Sequence, residues 1–382
     1  MHIIRPAHPA DHDILLKLAR TVHFINLPAD KDIIAEKIAR SRASFRAAAA
    51  GSEIICSATD ESATSGSPLF MFVIADPKTN TCIGTSMIIA QMGTPDHPNV
   101  SFMLNKKEFF STDLQTGATH TVAKLHLDTE GKTEIGGLIL GPSMRKHPER
   151  LGSQLSLVRF HYIGRHREQF IDHMLAEMMA PITPDGRNTF WEHLGRRFIN
   201  LSYVEADKFC QHSREFMTSL LPREEIYLTL LPPEARQGIA QVGKDTVPAR
   251  RMLERLGFAY TGRIDPFDGG PHLECETDSI SLVRHTESKP FVGSESLTED
   301  DQMGLVSTET RGDDFRAVHA QFRSTDAGVI LPDEAVNLLQ ISAGVSVTVT
   351  PLDFRKQTAS TSPESAPATP PRKHPDHSSA PS

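Results

Sequence analysis

The sequence predicts an α+β fold, a mixed and mostly antiparallel sheet flanked by helices, with a small β unit near the carboxyl terminus. The apolar run 69–75 is typical of a buried strand. A turn over 76–80 leads from it into a second apolar run over 82–91, which indicates a hairpin. Apolar residues at helical spacing occur before this hairpin and again near residue 250, and these predict the helices.

The first helices follow from capping residues and periodicity. After a first strand, Asp11 is expected to cap one helix, since short acidic side chains accept the free N–H groups of a first turn, and a second helix is predicted to follow Asp30. The segment 53–68 is rich in Ser, Thr and Gly and is predicted to be an exposed loop. The inward residues are expected to be Ile14, Leu15, Leu18 and Val22 in the first helix, and Ile34, Ile38 and Phe45 in the second.

Later elements alternate between strand and helix patterns. One long helix is predicted from about residue 152 to 162. Another begins near Pro248, which suits a first helical turn, and ends at Gly257, a suitable C-cap. The remaining strands are predicted within 101–108, 120–127, 134–140 and 177–183.

The chain is predicted to divide into four parts. These are a large domain over 1–281, a polar connector over 282–303, a small β unit over 304–354 and a tail over 355–382. The β unit is expected to contain strands within 315–322 and 345–349. The tail is dense in Pro, Ser and Thr and cannot bury enough surface to offset the entropy of ordering, so it is predicted to be disordered.

Composition argues against several functional classes. The 382 residues carry a formal net charge of −8 with no long basic run, so nucleic acid is not an expected partner. Apolar stretches are far shorter than the roughly 20 residues of a membrane span, and the amino terminus lacks a secretory pattern. We therefore expect a cytoplasmic protein without membrane contact. The four cysteines lack paired metal spacing, and His161 and His166 are five residues apart rather than four, so no metal site is predicted.

An acidic turn over 265–274 is the most informative local feature. Gly269, Gly270 and Pro271 force a tight bend, because glycine takes positive φ freely and proline then fixes the exit. Acids gathered on a rigid turn suit the recognition of a cation, whereas a solvated acidic hairpin is the alternative. The acids are Asp265, Asp268 and Glu274.

Short motifs occur in order along most of the chain. They are Ile3-Ile4-Arg5-Pro6, Asn26-Leu27-Pro28-Ala29, the Ala176–Met178 strand, Phe190-Trp191 with Leu194–Phe198, Pro248-Ala249-Arg250, the Phe267–Pro271 turn and Asp314–Val318. Together they resemble the bacterial arginine N-succinyltransferase family, including its arginine/ornithine-acting members, from residue 1 to about 352. The resemblance implies a GNAT-like acyl-CoA N-acyltransferase fold for the domain 1–281.

The resemblance also implies succinyl-CoA as co-substrate, with no bound cofactor. In GNAT-type catalysis the pantetheine lies against a splayed strand, and backbone N–H groups at a helix start hold the pyrophosphate. The family residue that matches Leu138 contacts succinyl-CoA. Arg145, Gly152 and Ser153 are expected to bind the phosphates, although their spacing departs from the superfamily's usual Arg-x-x-Gly-x-Gly pattern.

L-arginine is the acceptor that the resemblance implies, converted to N2-succinyl-L-arginine in arginine degradation. The α-amine must lose a proton before or during its attack on the thioester, so a base or a water chain is needed. A guanidinium favours paired carboxylates, and the succinyl carboxylate needs a cation, for which Arg196 or Arg197 is available. The expected substrate-binding acids are Glu177, Asp265, Asp268 and Glu274.

One position departs from the family. The family's proton-donor histidine follows a Gln-Val pair, but here the pair at 241–242 is followed by Gly243, which offers no proton, so no catalytic residue is assigned. Another residue could donate the proton (Lys244, His272 and Cys275 are nearest in sequence), water could protonate the thiolate, or the chain could act on ornithine or another amine. A non-catalytic partner subunit is a further alternative, because some relatives work as paired chains. A homo- or hetero-oligomer with a homologous subunit is the expected assembly.

Overall fold

The structure is a computed structural model that describes residues 1–21, 27–52, 67–183, 186–210, 213–310 and 314–352. Within it, Met1–Leu352 form one compact unit. The predicted disordered tail over 355–382 and almost all of the predicted exposed loop over 53–68 lie outside the described residues.

Helices and strands alternate in the order that the sequence pattern predicts for an α+β protein. The strands are β1 (Ile3–Pro6), β2 (Leu69–Ala75), β3 (Cys82–Met92), β4 (Asn99–Ser111), β5 (Thr116–Asp128), β6 (Lys132–Leu140), β7 (His173–Glu177), β8 (Ile226–Tyr227), β9 (Ala259–Ile264), β10 (Pro271–Glu276), β11 (Glu287–Ser294), β12 (Gln302–Thr308), β13 (Arg316–Ser324), β14 (Val329–Leu331) and β15 (Ser346–Pro351). The α-helices are α1 (His12–Ala19), α2 (Lys31–Ala49), α3 (Leu151–Arg165), α4 (Arg196–Phe198), α5 (Tyr203–Cys210), α6 (Glu215–Leu220), α7 (Pro233–Gly238), α8 (Val247–Arg255), α9 (Ser281–Arg284) and α10 (Asp333–Leu339).

Local interactions explain where two predictions differ from the structure. Helix α2 follows Asp30 as expected, and Asp30 caps it by accepting N–H groups of the first turn. Asp11 precedes α1 without capping it, because its carboxylate accepts two hydrogen bonds from Arg5 at 2.7 and 3.0 Å. The strand predicted over 177–183 lies instead over His173–Glu177, because the residues after Glu177 bond to other partners: the Met179 carbonyl accepts from Gly243 and the Ala180 N–H donates to Asp268.

The strands form one mixed sheet in the order β12-β15-β11-β14-β13-β1-β2-β3-β6-β7-β10-β9-β4-β5-β8. Among the described strands, the parallel pairings are β6–β7 and β11–β14, and the others are antiparallel. The sheet is therefore mostly antiparallel, as predicted. The β6–β7 pair lies near its centre.

The carboxyl-terminal strands close on themselves. Because β13 pairs with both β12 and β14, the strands β13-β12-β15-β11-β14 form a closed ring, a small barrel around apolar residues such as Phe322 and Val349. The predicted connector over 282–303 contributes β11 to this ring and is not simply a link. Its pattern concealed the strand, because only Phe291 of β11 is buried. The boundaries proposed at 281 and 304 stay predictions.

Helices cover both faces of the central sheet. Helices α1 and α2 pack their apolar residues on one face, in a core that includes Leu15, Ile34 and Met87. Helix α3 lies on the other face, where Ser86 Oγ donates to the Leu155 carbonyl at 2.7 Å. A separate core holds the acidic turn in place, because the ring of Phe267 stacks on Trp191 with centroids 4.9 Å apart.

Each of the described helices is either too short or too polar to span a bilayer. The cytoplasmic location stays a prediction.

Candidate active site

Strands β6 and β7 separate after two paired residues, and we call the gap between them the cleft. The two strands pair in parallel at Thr133–Met174 and Glu134–Leu175. Beyond Glu134, β6 continues to Leu140 with β3 as its strand partner, and the described residues provide no strand pairing on its other edge. The backbone of β6 that includes Leu138 is therefore open to a ligand on that edge.

A bulge shapes this open edge. The pairing of β3 with β6 shifts by one residue after the pair Met87–Gly136. Before the next pair, Thr85–Ile139, two residues of β6 (Gly137 and Leu138) face a single residue of β3. Gly137 has φ +57°, and a Cβ there would lie 2.0 Å from the Met87 methyl carbon. Because a bulge leaves one residue outside the regular ladder, its backbone polar groups can serve a ligand.

The end of β6 leads into the predicted phosphate-binding segment. Helix α3 begins after Arg150, whose φ is 52°, and the Ser153 N–H donates to the Arg150 carbonyl at 2.8 Å. Gly152 and Ser153 thus lie in the first turn of a 15-residue helix, where the helix dipole is positive. Arg145 is 45% exposed and lies 3.5 Å from Asp245, which belongs to the loop on the opposite side of the cleft.

Arg159 of α3 is a buried cation that sequence reasoning missed. It is 3% exposed and donates from Nη1 to the carbonyl of Gly136, beside the bulge, at 3.3 Å. Its other hydrogen bonds go to Ser156, and no carboxylate of the described residues lies within ion-pair distance. Burial lowers the pKa of Arg159 to about 9. An uncompensated buried guanidinium suits an anionic ligand.

The opposite wall of the cleft is built by β7, β10 and the acidic turn. The Met178 N–H donates to the Pro271 carbonyl at 3.1 Å, which continues the β7–β10 pairing to the turn. Asp268 accepts from the Gly270 N–H at 2.7 Å and from the Ala180 N–H at 2.8 Å. Both oxygens of Asp268 are thus used to fix the turn against the exit of β7.

Asp265 begins this turn with a different arrangement. One carboxylate oxygen, Oδ1, accepts from the N–H groups of Phe267 at 2.6 Å and Asp268 at 3.2 Å. Burial, and then the negative charges of Asp268 and Glu177, raise the pKa of Asp265 well above its usual range. Burial likewise raises the pKa of Asp268 to about 6. The turn is therefore a desolvated acidic site.

Glu177, Asp265 and His272 converge in the cleft. Each offers one side-chain atom, and these atoms all lie within 4.8 Å of one another. Glu177 and His272 are cross-strand neighbours, with 3.8 Å between Oε1 and Nε2. His272 is 1% exposed, and its Nε2 has no hydrogen-bond partner. Burial lowers the pKa of His272, which favours the neutral imidazole.

Opposite charges surround this cluster. Asn99 donates to Glu177 at 3.2 Å and accepts from Arg214 at 3.2 Å. Burial opposes the charge of Arg214, but the surrounding acids, Glu177 first among them, keep its pKa above the usual value. Burial lowers the pKa of Lys37 on α2 to about 8, and Glu134 opposes that shift. The wall thus presents both acids and cations.

The other predicted residues lie apart from the cluster. Glu274 already binds Arg263 at 3.1 Å and lies 3.7 Å from Lys132. Arg196 is exposed and bound to Glu192 at 2.8 Å, and Arg197 is exposed. Of the possible replacements for the family histidine, only His272 faces the cluster. Cys275 is three residues further along β10 and so points to the other face, and Lys244 is exposed.

Gly243 lies beside the exit of β7. Its N–H donates to the Met179 carbonyl at 3.0 Å, and a Cβ would lie 3.3 Å from the Ala180 carbonyl oxygen. A larger side chain would therefore fit after a small adjustment. Position 243 is on the same wall as the acidic turn, because the Ala180 N–H is bound by Asp268.

Among the described residues, two groups of side chains are close enough to hold a metal ion, although the sequence predicted no metal site. One is the cluster of Glu177, Asp265 and His272. The other comprises His2, His147 and Glu149 at the protein surface. In the second group His2 is already bound to Glu149 at 2.8 Å.

Comparisons with known proteins agree over nearly the whole chain. Residues 2–282 match the family model described as arginine N-succinyltransferase beta subunit, and residues 291–351 match the model of its C-terminal domain. Arginine N-succinyltransferases of Enterobacter sp. (strain 638) and Escherichia coli (strain 55989 / EAEC) are each 30% identical over 362 residues, 94% of this chain and 100% of the relative. The structure of arginine/ornithine succinyltransferase subunit AI from Pseudomonas aeruginosa is similar with a TM-score of 0.74 and 27% identity, over 92% of this chain and 98% of that chain.

Proposed function

Because the chain belongs to the arginine N-succinyltransferase family, we propose that it transfers the succinyl group of succinyl-CoA to the α-amine of L-arginine. The products are CoA and N2-succinyl-L-arginine. The observation that carries this proposal is the cleft between β6 and β7, with open backbone on one wall and buried acids on the other. The amine nitrogen forms a bond to the thioester carbon, the C–S bond breaks, and one proton passes from the amine to the departing thiolate.

The β6 wall would bind succinyl-CoA in a GNAT-like manner. A splayed, bulged strand followed by a helix start is the arrangement that such a thioester ligand needs. Leu138 would lie along the pantetheine, and the backbone at the bulge would donate to the oxyanion that forms on the thioester. Gly152 and Ser153 would bind the pyrophosphate at the start of α3, with Arg145 near the phosphates.

Arg159 is our candidate for recognising the distal carboxylate of the succinyl group. It is buried beside the Gly136 carbonyl, close to where the thioester would lie, and has no acidic partner among the described residues. The exposed Arg196 and Arg197 fit this role less well, because solvent screens their charge. Acetyl-CoA would leave the guanidinium without an anion and should be a poorer substrate.

The β7–β10 wall would bind the amino acid. A zwitterionic α-amino acid needs acceptors for its ammonium group and cations for its carboxylate, and this wall provides Glu177 and Asp265 beside Arg214 and Lys37. Asp268 and Glu274 already have partners, so we assign them to supporting the turn and strand β10.

The proposal is tested with the purified chain, succinyl-CoA and L-arginine. CoA release, followed with a thiol reagent, should depend on arginine, and mass spectrometry should show one succinyl group on the α-nitrogen. Ornithine and acetyl-CoA in separate reactions define the selectivity for amine and acyl group. Absence of arginine-dependent CoA release would overturn the proposal for the chain on its own.

Gly243 favours a second candidate, a subunit that requires a homologous partner for activity. The name of the Pseudomonas aeruginosa relative, subunit AI, describes one member of an assembly. Activity that appears only after addition of a homologous chain with histidine at this position would support this second function.

A further inference from the structure

We propose that Glu177, Asp265 and His272 hold the α-ammonium group of the acceptor, and that His272 is the base that removes its proton. This inference rests on the proposed function and deepens it, because it assigns the proton-transfer residue that position 243 lacks.

The spacing of the three side chains matches an ammonium ion. A charged N–H donor lies about 2.8 Å from its acceptor. Three tetrahedral N–H bonds therefore require acceptors about 4.6 Å apart. The three atoms here all lie within 4.8 Å of one another, and Glu177 Oε1 and His272 Nε2 are 3.8 Å apart, so the site is tighter than this ideal on one side but close enough for one ammonium to contact all three. A guanidinium fits less well, because it is planar and its N–H groups lie in one plane instead of converging on three acceptors.

His272 has the properties of a base that awaits its substrate. A buried polar atom without a partner is rare in folded proteins, and the Nε2 of His272 is such an atom. Its distance of 3.8 Å from Glu177 Oε1 is too long for a hydrogen bond but leaves room for an ammonium N–H group to reach both. A substrate would therefore satisfy an atom that the protein alone leaves unsatisfied.

Burial keeps His272 neutral until it takes the proton, although charged groups surround it. Glu177 on β7 and Glu274 on β10 favour its protonated form, Arg263 on β9 and Lys132 on β6 oppose it, and Asp265 of the turn also faces it. Burial outweighs these contributions and lowers the pKa of His272. The imidazolium that forms during reaction would be stabilised by Glu177.

Glu177 and His272 lie close to where the thioester would bind. Glu177 lies two residues beyond Leu175, where β6 and β7 separate, so the bound amine would lie next to the open edge of β6. Proton transfer from the ammonium to Nε2 frees the lone pair that attacks the thioester carbon. The C–S bond then breaks, and the imidazolium gives that proton to the thiolate. The nitrogen must lose a second proton to become an amide, and the neutral imidazole accepts it and releases it to solvent. His272 thus handles both protons that the ammonium loses.

The same strand pair provides a matched control. At its other end, His173 faces Glu276, and both are exposed. We expect His272→Gln to lower kcat/KM for L-arginine at least 100-fold and to remove the acidic limb of its pH profile, since general bases contribute about 10²–10⁴-fold. His173→Gln should change kcat/KM by less than twofold and should keep the acidic limb of the pH profile. An active His272→Gln enzyme with an unchanged profile would overturn the proposal.

Binding measurements separate this inference from the proposed function. L-arginine should bind the wild type at least tenfold more tightly than Nα-acetyl-L-arginine, which lacks the ammonium group, and Glu177→Gln should remove that preference. If succinyl transfer fails while this preference holds, the proposed reaction is wrong and the ammonium site stands. Equal binding of the two ligands would overturn the site.

Metal occupancy is the remaining alternative. Purified protein treated with EDTA should keep its affinity for L-arginine, because Arg214 near Glu177 already supplies positive charge. Two results together would instead identify a metal centre. Zn²⁺ would bind stoichiometrically to the wild type but not to Glu177→Gln, and activity lost on EDTA treatment would return when Zn²⁺ is added. Thermal unfolding of each variant, compared with that of the wild type, tests whether a loss of activity reflects loss of the fold.

Discussion

The two walls of the cleft offer opposite kinds of recognition. The β6 wall presents backbone groups at a bulge and a helix start, together with the exposed Arg145. The β7–β10 wall presents side chains that are almost completely buried, among them Asp265 and His272. Interactions between exposed charges are weak because water and salt screen them, whereas charged groups removed from water have large energetic effects. Substitutions on the two walls should therefore differ in magnitude.

The largest effect is expected for Asp265→Asn. The asparagine keeps an oxygen for the Phe267 and Asp268 N–H groups but cannot form the carboxylate that a bound ammonium would stabilise. A hydrogen bond to a charged group contributes about 1.5–3 kcal/mol, so kcat/KM for arginine should fall about 10- to 150-fold. This fall in kcat/KM is measured by steady-state kinetics with arginine as the varied substrate. Asp96→Asn, in an exposed loop, is the matched control and should leave kcat/KM unchanged.

The same variant should alter the pH dependence of stability. Because the pKa of Asp265 is higher in the folded protein, the folded state binds its proton more tightly, and this residue's contribution to stability falls as pH rises from about 4 through the raised value. Asparagine does not titrate, so denaturant unfolding should show Asp265→Asn gaining stability relative to the wild type between pH 4 and 8. If the difference in the free energy of unfolding between Asp265→Asn and the wild type stayed constant across that range, Asp265 would be ionised in the folded protein.

Asp268→Asn should affect stability more than substrate binding. Replacing one oxygen by NH₂ places a donor against a backbone N–H, either that of Gly270 or that of Ala180. We expect a loss of about 2 kcal/mol in the free energy of unfolding at pH 7. Asp76→Asn is the control, because Asp76 also accepts two backbone N–H groups, at 2.9 Å each, but does so with one oxygen, Oδ1, so that asparagine can keep both hydrogen bonds. Equal losses in the two variants would contradict the assigned structural role.

The sequence predicted the elements that depend on local interactions. The hairpin β2–β3, the start of α2 after Asp30 and the tight turn over 265–271 follow from apolar runs, capping residues and the Gly-Gly-Pro sequence. In contrast, β11 was missed because a strand at the surface of a small barrel carries mostly exposed side chains and has little apolar periodicity.

The site depends on distant pairings that periodicity does not reveal. Glu177 and His272 are 95 positions apart, and only the register of β7 with β10 makes them neighbours. Arg159 looks like any other helix cation until the structure shows it buried beside Gly136. Asp265 and Asp268 look equivalent in sequence, but the direction in which each carboxylate points gives them different partners.

Gly243→His should have an intermediate effect. The φ of Gly243 is not in the left-handed region, and the added Cβ meets only the Ala180 carbonyl, at 3.3 Å. We expect kcat to rise about tenfold, less than the 10²–10⁴-fold typical of a general acid, because a thiol with a pKa of about 8.5 leaves readily without one. Gly243→Ala is the control for the steric change. If kcat stays constant in a folded Gly243→His enzyme, proton donation from this wall does not limit turnover.

The smallest effects should come from the exposed ion pair across the cleft mouth. Arg145 and Asp245 are 45% and 84% exposed at 3.5 Å, so their attraction is weak and is screened by salt. If Arg145 binds a phosphate of CoA, Arg145→Gln should raise KM for succinyl-CoA about two- to fivefold. Asp245→Asn should lower it, because the competing carboxylate is gone. Both changes should shrink at high ionic strength and leave KM for arginine constant. Arg323→Gln removes the ion pairs of a similarly exposed arginine in the barrel, which lies 2.7 Å from Asp301 and 3.1 Å from Glu295, and should leave both KM values constant. A change in KM for arginine in either cleft variant would mean that the two walls do not act separately.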